Sequence, residues 1–212
     1  MDAIGYEASR RLGMEYAHSS FYVELYMNGD YQGIYLVTEH KEINHGRIPI
    51  ARDNNSLFIE MDAYFDEEYK FMSDILSLPV MIKHPESNAG VENAKVLING
   101  LEELLFSENY LANWNTINDI LDINSLINFM LVQEITRNTE SRWPKSVLMY
   151  RDATPNSKLI FGPVWDFDWG FSYNPDENIY FNVVDGLVFY KGANDGPPGS
   201  DFLVVFLNFL NF

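Results

Sequence analysis

Two aspartates lie between two tryptophans in the segment GPVWDFDWGF, residues 162–171. Carboxylates beside large apolar rings are costly to bury unless a cation, a metal ion or backbone N–H groups compensate their charge. If this segment ends a strand, Asp166 and Asp168 point to the same side, because side chains alternate along a strand. Such a pair could hold one hard divalent ion, with substrate phosphates as further ligands. Capping of the next turn, or pairing with an arginine, is the alternative explanation.

Lys83 lies within the apolar segment VMIKHPE, in a chain that has only 14 basic residues. A lysine on such a strand could contact a phosphate group if an acidic side chain held it in place. Glu39 and Glu60 are the candidates for that acidic partner. A solvent-facing lysine on an alternating strand is the other interpretation.

A third group of polar residues lies at the end of a predicted helix and in the loop after it. Glu134 and Asn138 are spaced i, i+4 and should share a helix face. Together with Glu140, these side chains could accept a proton from a hydroxyl group or help to bind a metal ion. Alternatively, Asn138 caps the helix and Glu140 is solvated. Arg142 and Lys145 in the same loop could contact phosphate or offset local acids.

Other common catalytic motifs are absent from the sequence. There are no cysteines, which excludes disulfides, zinc–thiolate sites and cysteine nucleophiles. The histidines, at positions 18, 40, 45 and 84, lack metal-ligand spacing and are interpreted as surface or packing residues. Neither a glycine-rich phosphate loop nor a G-x-S-x-G element occurs.

The composition predicts one folded domain with an acidic surface. The 212 residues are 47% hydrophobic and 15% aromatic, which is enough for a core. With 31 acidic against 14 basic residues, the net charge is -17. Such a surface repels nucleic acid and anionic membranes and attracts metal ions and basic or Lys-rich proteins. Solubility alone is the alternative explanation for the acidity.

The two ends of the sequence suggest that it is part of a longer chain. The first residues lack the apolar stretch of a signal peptide, and the last ones, DFLVVFLNFLNF, are apolar and aromatic. We therefore expect truncation at both ends. No run reaches the ~18 apolar residues of a membrane span.

Local patterns predict an α+β chain with strands first and helices later. Asn28-Gly29 between two β-rich runs predicts a hairpin, and Asp122 is the expected cap of a buried central helix. The expected elements are a helix capped by Asp2 that runs to Gly13, strands at 56–62, 79–85, 146–152 and 158–168, and a helix at 90–107. A cleft between a strand-rich part and a helical part is the expected position of the site.

Several segments occur in an order that resembles the spore-coat CotH kinase family, from about Ser9 to Asn174. They are YMNGDYQGIYLVTE, LFIEMD, IKHPE, QEITRNTE, KSVLMYRD and GPVWDFDWGF. The most specific pieces are the G-x-Y-x-x-x-E hairpin of Gly33, Tyr35 and Glu39 and the W-D-x-D turn at Asp166.

The resemblance implies an atypical protein kinase fold with two lobes. The strand-rich lobe would cover about 1–88 and the helical lobe, with the metal-binding turn, about 89–212. Members of this family transfer phosphate from ATP to Ser or Thr of a protein substrate with a divalent metal, Mg or Mn. An extracellular, cell-surface or spore-coat location would also follow from the resemblance.

The family's functional residues fall on particular positions of this sequence. Its metal-binding aspartate corresponds to Asp166, with Asp168 as the second candidate, and Lys83 is the candidate for the ATP-contacting lysine. The family's N-x-D element with the catalytic aspartate reads Asn138-Thr139-Glu140 here, so glutamate stands in place of aspartate. The family often has Asn after the next lysine, where this chain has Ser146.

Three functions are therefore compared. The first is a metal-dependent protein Ser/Thr kinase, and the second is a weak or inactive pseudokinase that acts as a binding or structural module. The third is a D-x-D glycosyltransferase, for which Asp166 and Asp168 are the only argument.

Overall fold

The computed structural model describes residues 1–142, 144–174, 179–180 and 188. The helices are α1 (Asp2–Arg11), α2 (Asn88–Leu105), α3 (Trp114–Ile120) and α4 (Ile123–Thr136). The strands are β1 (Ser20–Met27), β2 (Asp30–Thr38), β3 (Leu57–Met61), β4 (Lys70–Met72), β5 (Pro79–His84), β6 (Val147–Arg151), β7 (Ile160–Phe161), β8 (Tyr173–Asn174) and β9 (Ile179–Tyr180). In the described part of the chain, no helix has the length and apolar character that crossing a bilayer requires.

The predicted hairpin is confirmed. Strands β1 and β2 pair antiparallel as a separate two-stranded sheet. Asn28 and Gly29 join them with φ values of 53° and 91°. Two successive left-handed residues match the twist of the flanking strands, and Asn-Gly adopts them at low cost. Because β2 ends at Thr38, Glu39 lies just beyond the strand.

A five-stranded antiparallel sheet, ordered β4-β5-β3-β6-β7, forms the centre of the molecule. Its central strand β3 lies between β5 and β6, and all five residues of β3 are buried. Glu60 on this strand is therefore buried, with 3% of its surface exposed. A carboxylate at such a position requires cationic or hydrogen-bonding partners.

The architecture is α+β, as the sequence predicts. The central sheet takes β3, β4 and β5 from before residue 88 and β6 and β7 from after it. The proposed boundary at about residue 88 therefore does not separate two sheets. A kinase-like division into two lobes stays a prediction.

Helix α4 begins as predicted, with the Asp122 carboxylate accepting a hydrogen bond from the Ser125 N–H at 2.7 Å. The helix packs against α1 and β7 through a buried face that includes Leu126 and Phe129. Its opposite face carries Ile135, which is 54% exposed. The prediction of a buried helix is therefore confirmed except along one stripe, where Asn124, Leu131 and Ile135 are exposed.

Other local expectations need correction. Asp2 is the first residue of α1 and makes no cap, because Met1 takes the N-cap position, and the helix ends at Arg11 before Gly13. The short elements α3 and β4 were not predicted.

The strand expected at 158–168 contains only Ile160 and Phe161. Gly162 follows with a φ of 128°, and Pro163 has no N–H to donate, so the ladder cannot continue. Asp166 and Asp168 therefore do not belong to a strand.

Candidate active site

Glu60 forms ion pairs with two lysines. Its carboxylate lies 2.5 Å from the Lys41 ammonium and 3.3 Å from the Lys83 ammonium. Lys83 also pairs with Glu67, from the loop between β3 and β4. Burial lowers the pKa of Lys83, but the two glutamates outweigh it and leave that pKa above its ordinary value. Lys83 thus stays charged and is held in place on β5, beside the central strand β3.

Of the two predicted partners of Lys83, the structure brings Glu60 to it and not Glu39. The Glu39 carboxylate accepts hydrogen bonds from the Ser19 N–H at 2.7 Å and from the Tyr16 hydroxyl at 3.4 Å. It also lies 4.0 Å from the Arg47 guanidinium. Glu39 therefore ties the end of the hairpin to the segment before β1.

Lys41 was missed in the sequence. It follows β2 in a loop, where no periodic pattern marks it as buried, yet its side chain is only 17% exposed. Its ammonium lies 5.7 Å from the ring centroid of Trp165, the residue before Asp166. Lys41 therefore connects the Glu60 ion pair to the W-D-x-D turn.

Asp166 lies in a turn with left-handed backbone geometry, at a φ of 60°. Its carboxylate accepts a hydrogen bond from the Ser146 hydroxyl at 3.3 Å, and its backbone carbonyl accepts one from the Asn138 carboxamide at 3.0 Å. Burial and, next, the charge of Asp168 raise the pKa of Asp166. Asp168 itself is exposed.

The prediction that both carboxylates point to the same side of a strand was wrong, because the strand ends before them. Phe167 lies between them and is fully buried. The strand argument for a D-x-D glycosyltransferase is lost with it. Binding of a metal by Asp166, with Asp168 as a second ligand, stays a prediction.

The loop after α4 brings Asn138 and Glu140 to the same turn. Asn138 is 2% exposed and does not cap α4, since the left-handed Arg137 takes the C-cap position. The Asn138 side-chain oxygen instead accepts a hydrogen bond from the Glu140 N–H at 3.3 Å. Asn138 therefore joins the W-D-x-D turn to the loop that carries Glu140.

Glu140 is buried, not solvated, with 7% of its surface exposed. Its Oε1 accepts a hydrogen bond from the Lys145 ammonium at 2.9 Å. Its Oε2 is buried and has no hydrogen-bond partner among the described residues. Burial raises the pKa of Glu140, Lys145 opposes the rise, and the negative charges of Asp166 and Asp62 add to it.

Asp62 is a second site residue that was not predicted from the sequence. It follows Glu60 by two positions at the end of β3, and side-chain alternation along the strand could have placed it on the same side. Its carboxylate accepts hydrogen bonds from the Tyr64 N–H at 2.8 Å and the Ser146 N–H at 3.1 Å. Burial raises its pKa and these two N–H groups oppose the rise.

This end of the site has an excess of negative charge. Asp62, Glu140 and Asp166 all have raised pKa values, each with burial as the largest cause. A cation would relieve this repulsion between carboxylates. In the residues described, no three acidic or histidine side chains form a complete metal site. A divalent ion here would therefore need further ligands, such as the phosphates and waters that Mg²⁺ usually keeps.

Cavities of the described structure differ in their relation to these residues. A pocket of about 220 Å³ is lined by Lys41, Arg52, Lys83 and His84, together with the acidic residues Glu42 and Glu86. A larger cavity of about 510 Å³ lies beside α2 and contains none of the candidate site residues. The smaller pocket is the one whose chemistry suits a phosphate group.

Together, the site places a buried lysine–glutamate group next to a carboxylate group, on an α+β scaffold. These are the residue types that phosphoryl transfer needs. The chain matches the family model described as CotH kinase protein over residues 2–197. The protein therefore belongs to the CotH kinase family, and the resemblance seen in the motifs is confirmed. Comparisons with curated proteins and with solved structures found no match.

Proposed function

We propose that the protein transfers the γ-phosphate of ATP to Ser or Thr of a protein substrate, with Mg²⁺ or Mn²⁺ as the required metal. The observation that carries the proposal is the placement of two chemically different groups in one site. Lys41 and Lys83, held by Glu60, supply ammonium groups, and Asp166 with Glu140 supplies carboxylates. The family membership supports the same reaction class.

The proposed roles follow from the contacts. Lys83, fixed by Glu60, contacts the nucleotide phosphates, as a lysine held by a glutamate does in other kinases. Asp166 would hold the metal, with Asp168 as a second ligand, and a metal held there would supply charge neutralisation for the phosphates. Asn138 fixes the backbone of the turn through its bond to the Asp166 carbonyl.

Glu140 is proposed to accept the proton of the attacking hydroxyl group. Its raised pKa brings it closer to the working pH of a general base. Lys145 holds Oε1, which leaves the buried Oε2 as the oxygen that can take the proton.

A basic or Lys-rich protein is the proposed substrate. The net charge of -17 favours such a partner. Asp66 and Glu68 are exposed on either side of Glu67, which touches Lys83, so acidic side chains lie beside the site. Equal phosphorylation of a basic and an acidic peptide library would contradict this substrate preference.

A pseudokinase is the second candidate, and two contacts favour it. Glu140 replaces the family aspartate and forms an ion pair with Lys145. Lys83 likewise forms an ion pair with Glu67. A protein in which these ion pairs persist would bind a nucleotide or a partner without turnover.

The deciding experiment is incubation with γ-labelled ATP, Mg²⁺ or Mn²⁺ and a basic Ser-rich protein, for the wild type and Asp166→Ala. Labelled substrate that disappears in Asp166→Ala supports the kinase. Metal-dependent ATP binding without label, lost in the variant, supports the pseudokinase. Unchanged metal-dependent ATP affinity in Asp166→Ala would contradict the metal assignment.

A further inference from the structure

We propose that Asp62 is a positioning residue for the carboxylate end of this site. The inference rests on the proposed function for its catalytic consequence, but its structural part can be tested separately. Asp62 is 8% exposed at the end of β3, and its own N–H donates to the Pro79 carbonyl at 3.1 Å. Asp62 is therefore anchored to the central sheet.

Both carboxylate oxygens of Asp62 are engaged by the backbone. Oδ1 accepts from the Tyr64 N–H at 2.8 Å, and Oδ2 accepts from the Ser146 N–H at 3.1 Å. Next to these, the Ala63 N–H donates to the Pro144 carbonyl at 2.9 Å. Segment 144–146 is thus attached to the end of β3 at two points.

The attachment holds an unfavourable backbone conformation. Ser146 has a φ of 53°, in the left-handed region that non-glycine residues seldom adopt. Such a conformation persists where surrounding contacts fix it. The hydrogen bond from the Ser146 N–H to Asp62 is one contact that does so.

Segment 144–146 carries contacts to both candidate catalytic carboxylates. The Lys145 ammonium donates to Glu140 at 2.9 Å, and the Ser146 hydroxyl donates to Asp166 at 3.3 Å. Lys145 also donates to the Tyr64 hydroxyl at 3.2 Å. Asp62 binds the N–H groups of Tyr64 and Ser146. It therefore fixes the backbone of the residue that follows Lys145 and of the residue whose hydroxyl Lys145 contacts.

An aspartate is required at this place because both of its oxygens accept hydrogen bonds. In Asp62→Asn the carboxamide would turn an N–H₂ group toward one of the two backbone donors, so one bond is lost without a change in shape. A buried N–H without an acceptor destabilises its segment. The loss should loosen segment 144–146 and leave the Glu60 ion pairs in place.

Glu102→Gln is the matched control. Glu102 is 1% exposed on α2 and also uses its carboxylate to bind backbone donors, the N–H groups of Ile75 at 2.9 Å and Leu76 at 3.4 Å. It also accepts a hydrogen bond from the Ser73 hydroxyl. Its substitution should lower stability in a similar way without touching segment 144–146.

The test combines amide hydrogen exchange and steady-state kinetics on the full chain. We expect Asp62→Asn to speed exchange at the Tyr64 or the Ser146 amide, whichever loses its acceptor, and to lower kcat by about a hundredfold. The KM for ATP should stay close to that of the wild type, because the lysine–glutamate group is intact. Glu102→Gln should change neither the exchange rates of the Tyr64 and Ser146 amides nor kcat.

Two results would overturn the proposal. One is that the Tyr64 and Ser146 amides both exchange at the wild-type rate in Asp62→Asn. The other is an equal loss of kcat in Glu102→Gln, which would indicate a general effect of stability. If the wild type transfers no phosphate, the proposed function fails, while the exchange comparison still decides whether Asp62 holds the segment.

Discussion

The ring of Phe167 occupies the place that a Cβ atom of residue 5 would take. A Cβ built on Gly5 would lie 2.3 Å from the Phe167 ring. Phe167 is also the residue between Asp166 and Asp168, and its N–H donates to the Asp2 carboxylate at 3.0 Å. Helix α1 therefore packs against the W-D-x-D turn and stabilises it, although Asp2 and Phe167 are 165 residues apart in sequence.

We predict that Gly5→Ala disturbs this turn. The added methyl group must displace a fully buried ring, and overpacking of this kind costs about 1–3 kcal/mol. Chemical denaturation should show that loss of stability, and metal-dependent ATP binding should weaken because Asp166 moves with Phe167.

Gly100→Ala on α2 provides the control for Gly5→Ala. Nothing lies within 4 Å of a Cβ at Gly100. Alanine in a helix interior should therefore stabilise the protein by up to about 1 kcal/mol. A Gly5→Ala protein as stable as the wild type would show that the ring packing is not tight.

We predict that Lys83→Met lowers ATP affinity by about ten- to a hundredfold, since it removes a charged hydrogen bond to phosphate. The fold should persist, because Lys41 still neutralises Glu60. Isothermal titration with ATP and Mg²⁺ measures the effect, and Lys95→Met on α2 serves as the control of the same chemistry. Full affinity in Lys83→Met, with a loss in Lys41→Met, would transfer the role to Lys41.

We predict that Glu140→Asp keeps or raises the rate of phosphate transfer, because aspartate is the family residue at this position. Glu140→Gln should lower kcat by about a hundredfold or more, since a carboxamide cannot accept the proton. Glu103→Gln, at an exposed position of α2, controls for the loss of one charge. A complete loss of transfer in Glu140→Asp would show that this protein requires the longer side chain of glutamate at position 140.

We predict that the free energy of unfolding falls as the pH is lowered, because His18 is buried in its neutral form. It is fully buried among aromatic rings, with Nδ1 3.1 Å from the Tyr16 hydroxyl and Nε2 without a partner among the described residues. Burial lowers its pKa from 6.5 to about 4, the charge of Glu39 opposes this, and His40 and Arg47 add to it.

Between these two pKa values the unfolded chain binds a proton that the folded protein does not. The stabilising contribution of neutral His18 is therefore complete above pH ~6.5 and is lost as the pH falls toward ~4, by up to about 3 kcal/mol. Urea denaturation at pH 7.5, 6 and 5 measures this slope. The slope of the unfolding free energy against pH should become smaller in His18→Gln. It should stay unchanged in His45→Gln, because His45 is exposed. Equal slopes in all three proteins would contradict the prediction.

Local chemistry was enough to predict several elements of the fold. The Asn28-Gly29 turn and the Asp122 cap depend on residues within four positions of each other, so their sequence carries the full signal. The hydrophobic pattern likewise located α2 and the strands β3, β5 and β6. Short elements such as α3 and β4 have too few residues for a periodic signal.

The sequence by itself determined the types of residue available for chemistry and their order along the chain, and this order identified the family. Only the tertiary structure decided which of them meet. Glu60 and Lys41 are 19 residues apart, and Asp62 and Ser146 are 84 apart, so their pairing depends on sheet register and loop paths. The position of Asp166 also depends on tertiary structure. Strand alternation placed it wrongly, because Gly162 and Pro163 end the strand. The contact of Phe167 with α1 then fixes the turn that carries Asp166.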